Sequence, residues 1–167
     1  MQKPEIFETL ESSRQEVLAA VEGLSEAQAG VAPEAQWSAL HCLEHVVAVE
    51  GRFLQLLGMA TRVEAPRTDR AKEAMLSARV TDRSTKVKAP ELVHPKGIYA
   101  NVPEALAAFE AARARTVAFA EEHADHLDCL LTSHPRFGEV TGTQLLHLIA
   151  AHGRRHAEQI RETVAAS

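Results

Sequence analysis

Near one end the chain reads AAHGRRHAEQI, with His152 and His156 four residues apart. On a helix, side chains at i and i+4 lie one above the other on one face, so the two imidazoles can reach a single cation. A second pair with this spacing, His41 and His45, lies in WSALHCLEHVVAVEGRFLQLL. Imidazole suits zinc, nickel, iron and copper alike. Three such ligands leave positions open for water or substrate, the arrangement of catalytic rather than structural zinc sites. One familiar chemistry is excluded: Gly153, Arg154 and Arg155 fill the interval in which the protease motif H-E-x-x-H carries its glutamate.

Orientation decides which histidines can meet. At about 100° per residue, Leu145, Ile149, His152, His156 and Thr163 fall on one narrow stripe of the last helix, facing the core. Arg154 points roughly the other way, and His147, about 140° from His152, is predicted to be a solvated surface residue. Two imidazoles on a buried stripe each need a polar partner, and a shared metal supplies one for both. On the WSALHCLEH helix the apolar face is Cys42, Val46, Val49, Phe53 and Leu56; His45 lies about 70° from its centre and His41 about 110°. His45 is therefore the better inward candidate. With Ser38 as N-cap, His41 takes the place where Glu or Gln completes a capping box, so a capping role and an extra ligand both stand.

Neighbouring residues have two readings each. Cys42 is read as a small buried hydrophobe, with soft ligation as the alternative. Glu44 and Glu50 flank His45 and either orient an imidazole or are solvated on the helix surface. Arg155 is read as a surface residue paired with Glu158 or a partner subunit, against the alternative of holding an anion. His94, His123, His126 and His134 fall in loops or at helix ends; a structural hydrogen bond is expected for His134 in its HP-x-x-G turn, and a favourable helix dipole for His123 and His126.

Four main helices must position these groups. The first starts at Pro4 and carries Ile6, Leu10, Val17, Leu18 and Val21 at helical spacing, until GLSEAQAGVAPEAQ breaks it. The second runs from about Ser38 to Met59, the third opens near Pro103, and Thr141 with Gln144 forms a T-x-x-Q capping box that starts the fourth. Between the second and third, the pattern predicts one short helix around Asp69 to Arg79, followed by a long Pro- and Gly-punctuated loop of the kind that tends to be functional or mobile. Strand signals are nearly absent. The expectation is an all-α antiparallel four-helix bundle with a long middle loop carrying an extra short helix, one domain over residues 1–167, whose site is built from side chains projecting inward from facing helices.

Composition bounds the remaining possibilities. The chain's 46% hydrophobic and 25% charged residues suit a globular core, and nine histidines are many for 167 residues. A net charge of −5 gives no electrostatic footprint for nucleic acid. No signal-like or membrane-spanning apolar run occurs, which predicts a soluble cytoplasmic protein without membrane partners. Cys42 and Cys129 form no C-x-x-C pair, so reduced thiols are expected. The middle segment 62–96 is biased toward basic residues, usually a sign of a solvated face but, beside a site, an attraction for an anionic substrate.

The order WSALHCLEH, then HPRFGEVTGTQLLHLIAAHGRRHAEQI, resembles the DinB-like (DinB/YfiT) superfamily of metal-binding four-helix bundles over nearly the whole chain. That resemblance implies one ligand from the second helix and two from the last, mapping onto His45, His152 and His156, and no DNA binding. Where family members commonly carry Glu or Gln after the W-S pair, this chain has His41. The resemblance further implies a divalent metal (Zn, Ni or Fe) and a homodimer. It points to an enzyme acting on a small-molecule substrate: a thiol S-transferase using a low-molecular-weight thiol such as bacillithiol or mycothiol, a mycothiol-dependent isomerase, or a metal-dependent hydrolase. The alternative is a non-catalytic metal-binding stress-response module.

Overall fold

The computed structural model describes the backbone of residues 3–167 and the side chains of residues 5–167, so Met1 and Gln2 of the expected domain lie outside the described residues. In chain order the helices are α1 (Lys3–Val21), α2 (Glu26–Gly30), α3 (Ala39–Gly58), α4 (Arg70–Thr81), α5 (Val102–Glu122) and α6 (Gly142–Ala166). Helices α1, α3, α5 and α6 are the four expected from the apolar periodicity, and they form a four-helix bundle. Their starts are set by side chains that take up free helix N–H groups: Ser38 accepts from the His41 N–H, Asn101 from Glu104, and Thr141 and Gln144 form the reciprocal capping box. Asp69 caps α4 in the same way, placing the short middle helix where the sequence suggested.

Two elements depart from the sequence reading. The break after α1 contains a helical turn of its own, α2, fixed by a capping box between Ser25 and Gln28. A small antiparallel sheet also forms, β1 (Thr61–Arg62), β2 (Leu130–His134) and β3 (Gly138–Thr141), in that order. Its β2–β3 hairpin closes over the HPRFG turn, pairing His134 with Gly138, which adopts a positive φ of 74°. The hairpin leads directly into α6, so the sheet sets where that helix begins.

Around the bundle α1 packs on α6 and α5, and α3 on α6 and α5. Helices α1 and α6 run in the same direction: Ser13 donates to the Ala150 carbonyl at 2.8 Å, and Arg154 reaches Glu16 at 3.1 Å. Residues 59–101, spanning β1 and α4, return the chain so that α5 runs alongside α3 rather than back along it, the kind of crossover that bundles accommodate. Gly153 permits the close approach of α1 and α6, since a Cβ there would lie 2.8 Å from Ser13 Oγ.

Apolar burial forms two clusters. One gathers Ile6, Leu10, Phe53, Leu57, Leu145 and Ile149; the other gathers Val17, Val21, Leu43, Phe109, Ala157 and Ile160. On every bundle helix the change of cluster falls at a polar level. There the Arg113 guanidinium grips Glu50 through Nε (2.7 Å) and Nη2 (3.1 Å) and donates from Nη1 to the Leu10 carbonyl (2.7 Å), while Thr116 donates to Glu50 at 2.8 Å. Both charges are almost fully buried, and these bonds are what make the burial tolerable. The histidines of α3 and α6 flank this level.

Candidate metal centre

Helix α3 contributes His45, and α6 contributes His152 and His156 from successive turns. Their ligand-capable nitrogens all lie within 4.8 Å of one another. His152 Nε2 is 3.1 Å from His45 Nε2 and 3.1 Å from His156 Nε2. The outer nitrogens are committed elsewhere. His45 Nδ1 lies 2.7 Å from the Val93 carbonyl, and His156 Nδ1 lies 2.7 Å from Gln159 Oε1. A carbonyl only accepts, so the proton of His45 sits on Nδ1, and the Gln159 amide oxygen fixes His156 likewise. Both Nε2 lone pairs are thereby aimed at His152 Nε2, which has at most one proton to give. At least one of the facing contacts sets lone pair against lone pair.

A divalent cation suits that arrangement. Nitrogens bound at about 2.0–2.1 Å to one zinc stand roughly 3.0–3.4 Å apart; the two spacings to His152 fall within that interval, and the third pair, His45 with His156, lies within 4.8 Å and would draw together around a bound ion. Burial, the largest influence, lowers the basicity of all three rings: His45 falls below the usual histidine range, His152 well below it, and His156 to about 3. Neutral imidazole is the ligating form. His152 keeps part of its surface open to a cavity of about 1080 Å³, which also reaches Trp37, His94, His134 and Phe137.

Several side chains shape this cavity without belonging to the cluster. Ala35 adopts a left-handed conformation (φ 62°), and Trp37, two residues on, packs its ring 4.8 Å from His45 and 6.2 Å from His156, centroid to centroid. His134 accepts the backbone N–H groups of Arg136 (3.0 Å) and Phe137 (3.2 Å) on Nδ1, the structural role expected of it, so its proton is on Nε2. Burial lowers its pKa to about 4. Glu44 is not solvated: it is buried and receives the N–H groups of Lys96, Gly97 (2.8 Å) and Ile98 (3.0 Å), tying down the segment whose Val93 carbonyl orients His45. Glu50 too is buried, serving Arg113 rather than an imidazole.

Other expectations are corrected. Arg155 is neither exposed nor paired with Glu158; only 8% accessible, it donates to the carbonyls of Val80 (3.0 Å), Asp82 (2.8 Å) and Thr85 (2.7 Å), holding the end of α4 and the following strap against α6. His147 is buried as well, because α4 packs over that flank of α6 and brings Glu73 to 3.9 Å. Cys42 is fully buried in the second apolar cluster, and burial pushes its thiol up to about 12, the behaviour of a hydrophobe. His41 contributes its backbone N–H to the Ser38 cap and is not among the clustered histidines. His123 closes the end of α5, its Nδ1 donating to the Phe119 carbonyl at 2.9 Å. Trp37 enters the sequence pattern only as part of the W-S pair, with no role at the histidines, and Gln159 not at all; the i, i+3 spacing of Gln159 from His156 is the available signal for the latter.

A four-helix bundle with three convergent histidines beneath a cavity is the class that fold and site define. The chain belongs to the DinB superfamily, whose family model matches residues 9–160. Among solved structures it is similar to that of TT2238, a four-helix bundle protein, at 22% identity and a TM-score of 0.61, covering 97% of this chain and 100% of the other. That likeness speaks to the fold. No curated protein sequence matches significantly.

Proposed function

We propose that His45, His152 and His156 hold a divalent metal, and that the protein is a metal-dependent enzyme of small molecules, of thiol-transferase or hydrolase type. The observation that carries this reading is the convergence of three Nε2 atoms, two with their outer nitrogens committed as donors, beneath a cavity of substrate size. When bound, such an ion supplies Lewis acidity and lowers the pKa of a water or thiol it binds. The residues of the chain do the rest. The Val93 carbonyl and Gln159 fix the rings, Trp37 covers His45 and His156 and limits water there, and His134 offers its Nε2–H as a neutral hydrogen-bond donor on the cavity wall.

Metal analysis of untagged protein tests the site. The wild type is expected to retain one equivalent per chain, and His45→Ala and His156→Ala to lose it while remaining helical by circular dichroism. Retention in both variants would sink the proposal. Turnover is tested by incubating metal-loaded protein with thiols and electrophiles; rates identical with and without metal would instead favour a non-catalytic binding module.

A further inference from the structure

We propose that the substrate of this site is a small anion, seated by a carboxylate or phosphate group on the basic wall of the cavity while another of its atoms reaches the three histidines. This rests on the metal reading above and adds the charge of the molecule that the metal meets. The cavity is lined by Arg52, Arg83, Lys86, Lys88, Arg136 and Arg155, against one acidic lining residue, Glu162. Arg83 already engages that glutamate, at 2.9 and 3.3 Å. The imbalance is not inherited from composition, because the whole chain carries a net charge of −5. Cations have been gathered at one concave surface, where low-dielectric walls focus their field and raise the local concentration of anions.

Two further observations point the same way. Arg155, between the two α6 histidines in sequence and nine-tenths buried, is held by three backbone carbonyls, and no carboxylate lies within ion-pair distance of it among the described residues. Asp82 and Glu162 act on it only through space, without a salt bridge, and the guanidinium groups of Arg83 and Arg136 add positive charge beside it. The cluster itself contains no carboxylate, so three neutral imidazoles would leave the two positive charges of a bound metal uncompensated. An anionic ligand answers both. Lys86 and Lys88 sit on the strap that Arg155 anchors, form no ion pair among the described residues, and are exposed at the cavity edge, where a carboxylate or phosphate would meet them first.

The test uses the cobalt-substituted protein, whose absorption bands report both metal occupancy and thiolate binding. It is titrated at low salt with mercaptosuccinate, mercaptoethanol and cysteamine, which are anionic, neutral and cationic beyond the sulfur. The same titrations are made on a Lys86→Glu/Lys88→Glu variant, so that intrinsic differences in thiol acidity cancel in the comparison. The expected result is that the preference for mercaptosuccinate over cysteamine falls roughly tenfold or more in the variant, and falls in the wild type as salt is raised. Displacement by succinate or by inorganic phosphate shows which oxyanion the wall prefers, and either preference supports the proposal. Normal cobalt bands with a preference that is the same in both proteins would overturn it and leave the metal site standing. Absence of cobalt bands would overturn the metal reading and this one together.

Discussion

Glu44 shows how much of the cluster's geometry is set from outside it. Its carboxylate collects three successive backbone N–H groups from residues 96–98, and the same segment supplies the Val93 carbonyl that holds the His45 proton on Nδ1. A group that hydrogen-bonds a ligating histidine directly is commonly worth 10- to 100-fold in metal affinity, and Glu44 acts one step further out, through the backbone that carries such a group. Glu44→Ala is accordingly expected to weaken metal binding by up to about tenfold while the helical content is kept, and Glu44→Gln to lose less; chelator competition measures both. At this scale helical phase put His152 and His156 on the inward stripe and made His45 the better candidate of its pair, and the family resemblance pointed to the same three. The sequence did not display what touches them from afar. His147 departs from the expected exposure because its cover, α4, lies far away in the chain, and Arg155 because its partners are main-chain carbonyls, which no sequence pattern marks.

Elements were legible where a local signal exists. Ser38, Asp69 and Thr141 mark helix starts through hydrogen bonds to residues three positions on, and the structure uses all three. The sheet was not legible: its strands are two, five and four residues long, too short for alternation to stand out, and their pairing is fixed by the hairpin and by β1 arriving from the far end of α3. Contact between elements can be tested at Gly153. Gly153→Ala would press a methyl group against Ser13 Oγ and force α1 away from α6, an overpacking expected to cost about 1–3 kcal/mol in urea unfolding. A Ser13→Ala background removes that oxygen and should recover part of the loss, a non-additivity expected of residues in contact.

Across the whole molecule, the two apolar clusters are separated by a polar level that includes Glu50, Arg113 and Thr116 and that the site histidines flank. Among the described residues no helix is long and apolar enough to cross a membrane. Burying titratable groups makes stability depend on pH. His45, His134, His147, His152 and His156 all have folded pKa values below 6.5, chiefly through burial, so between those values and 6.5 the unfolded chain binds more protons than the folded one. Stability of the metal-free protein is therefore greatest above about pH 6.5 and is lost as pH falls toward about 4 and below, where His134 and then His156 titrate. Glu73, raised by burial, works in the opposite sense. Urea midpoints between pH 7 and pH 4 check this; a flat profile would contradict the burial of these rings.

His45 and His152 are separated by 107 positions in the chain yet meet at 3.1 Å. During synthesis His45 leaves the ribosome long before α6 exists, and an ion arriving then finds one of the three nitrogens, held by nothing. Only when α6 emerges and docks do the other two appear, and they appear together, one helical turn apart. A chain whose α6 has not yet docked on α3 therefore has little hold on stray metal.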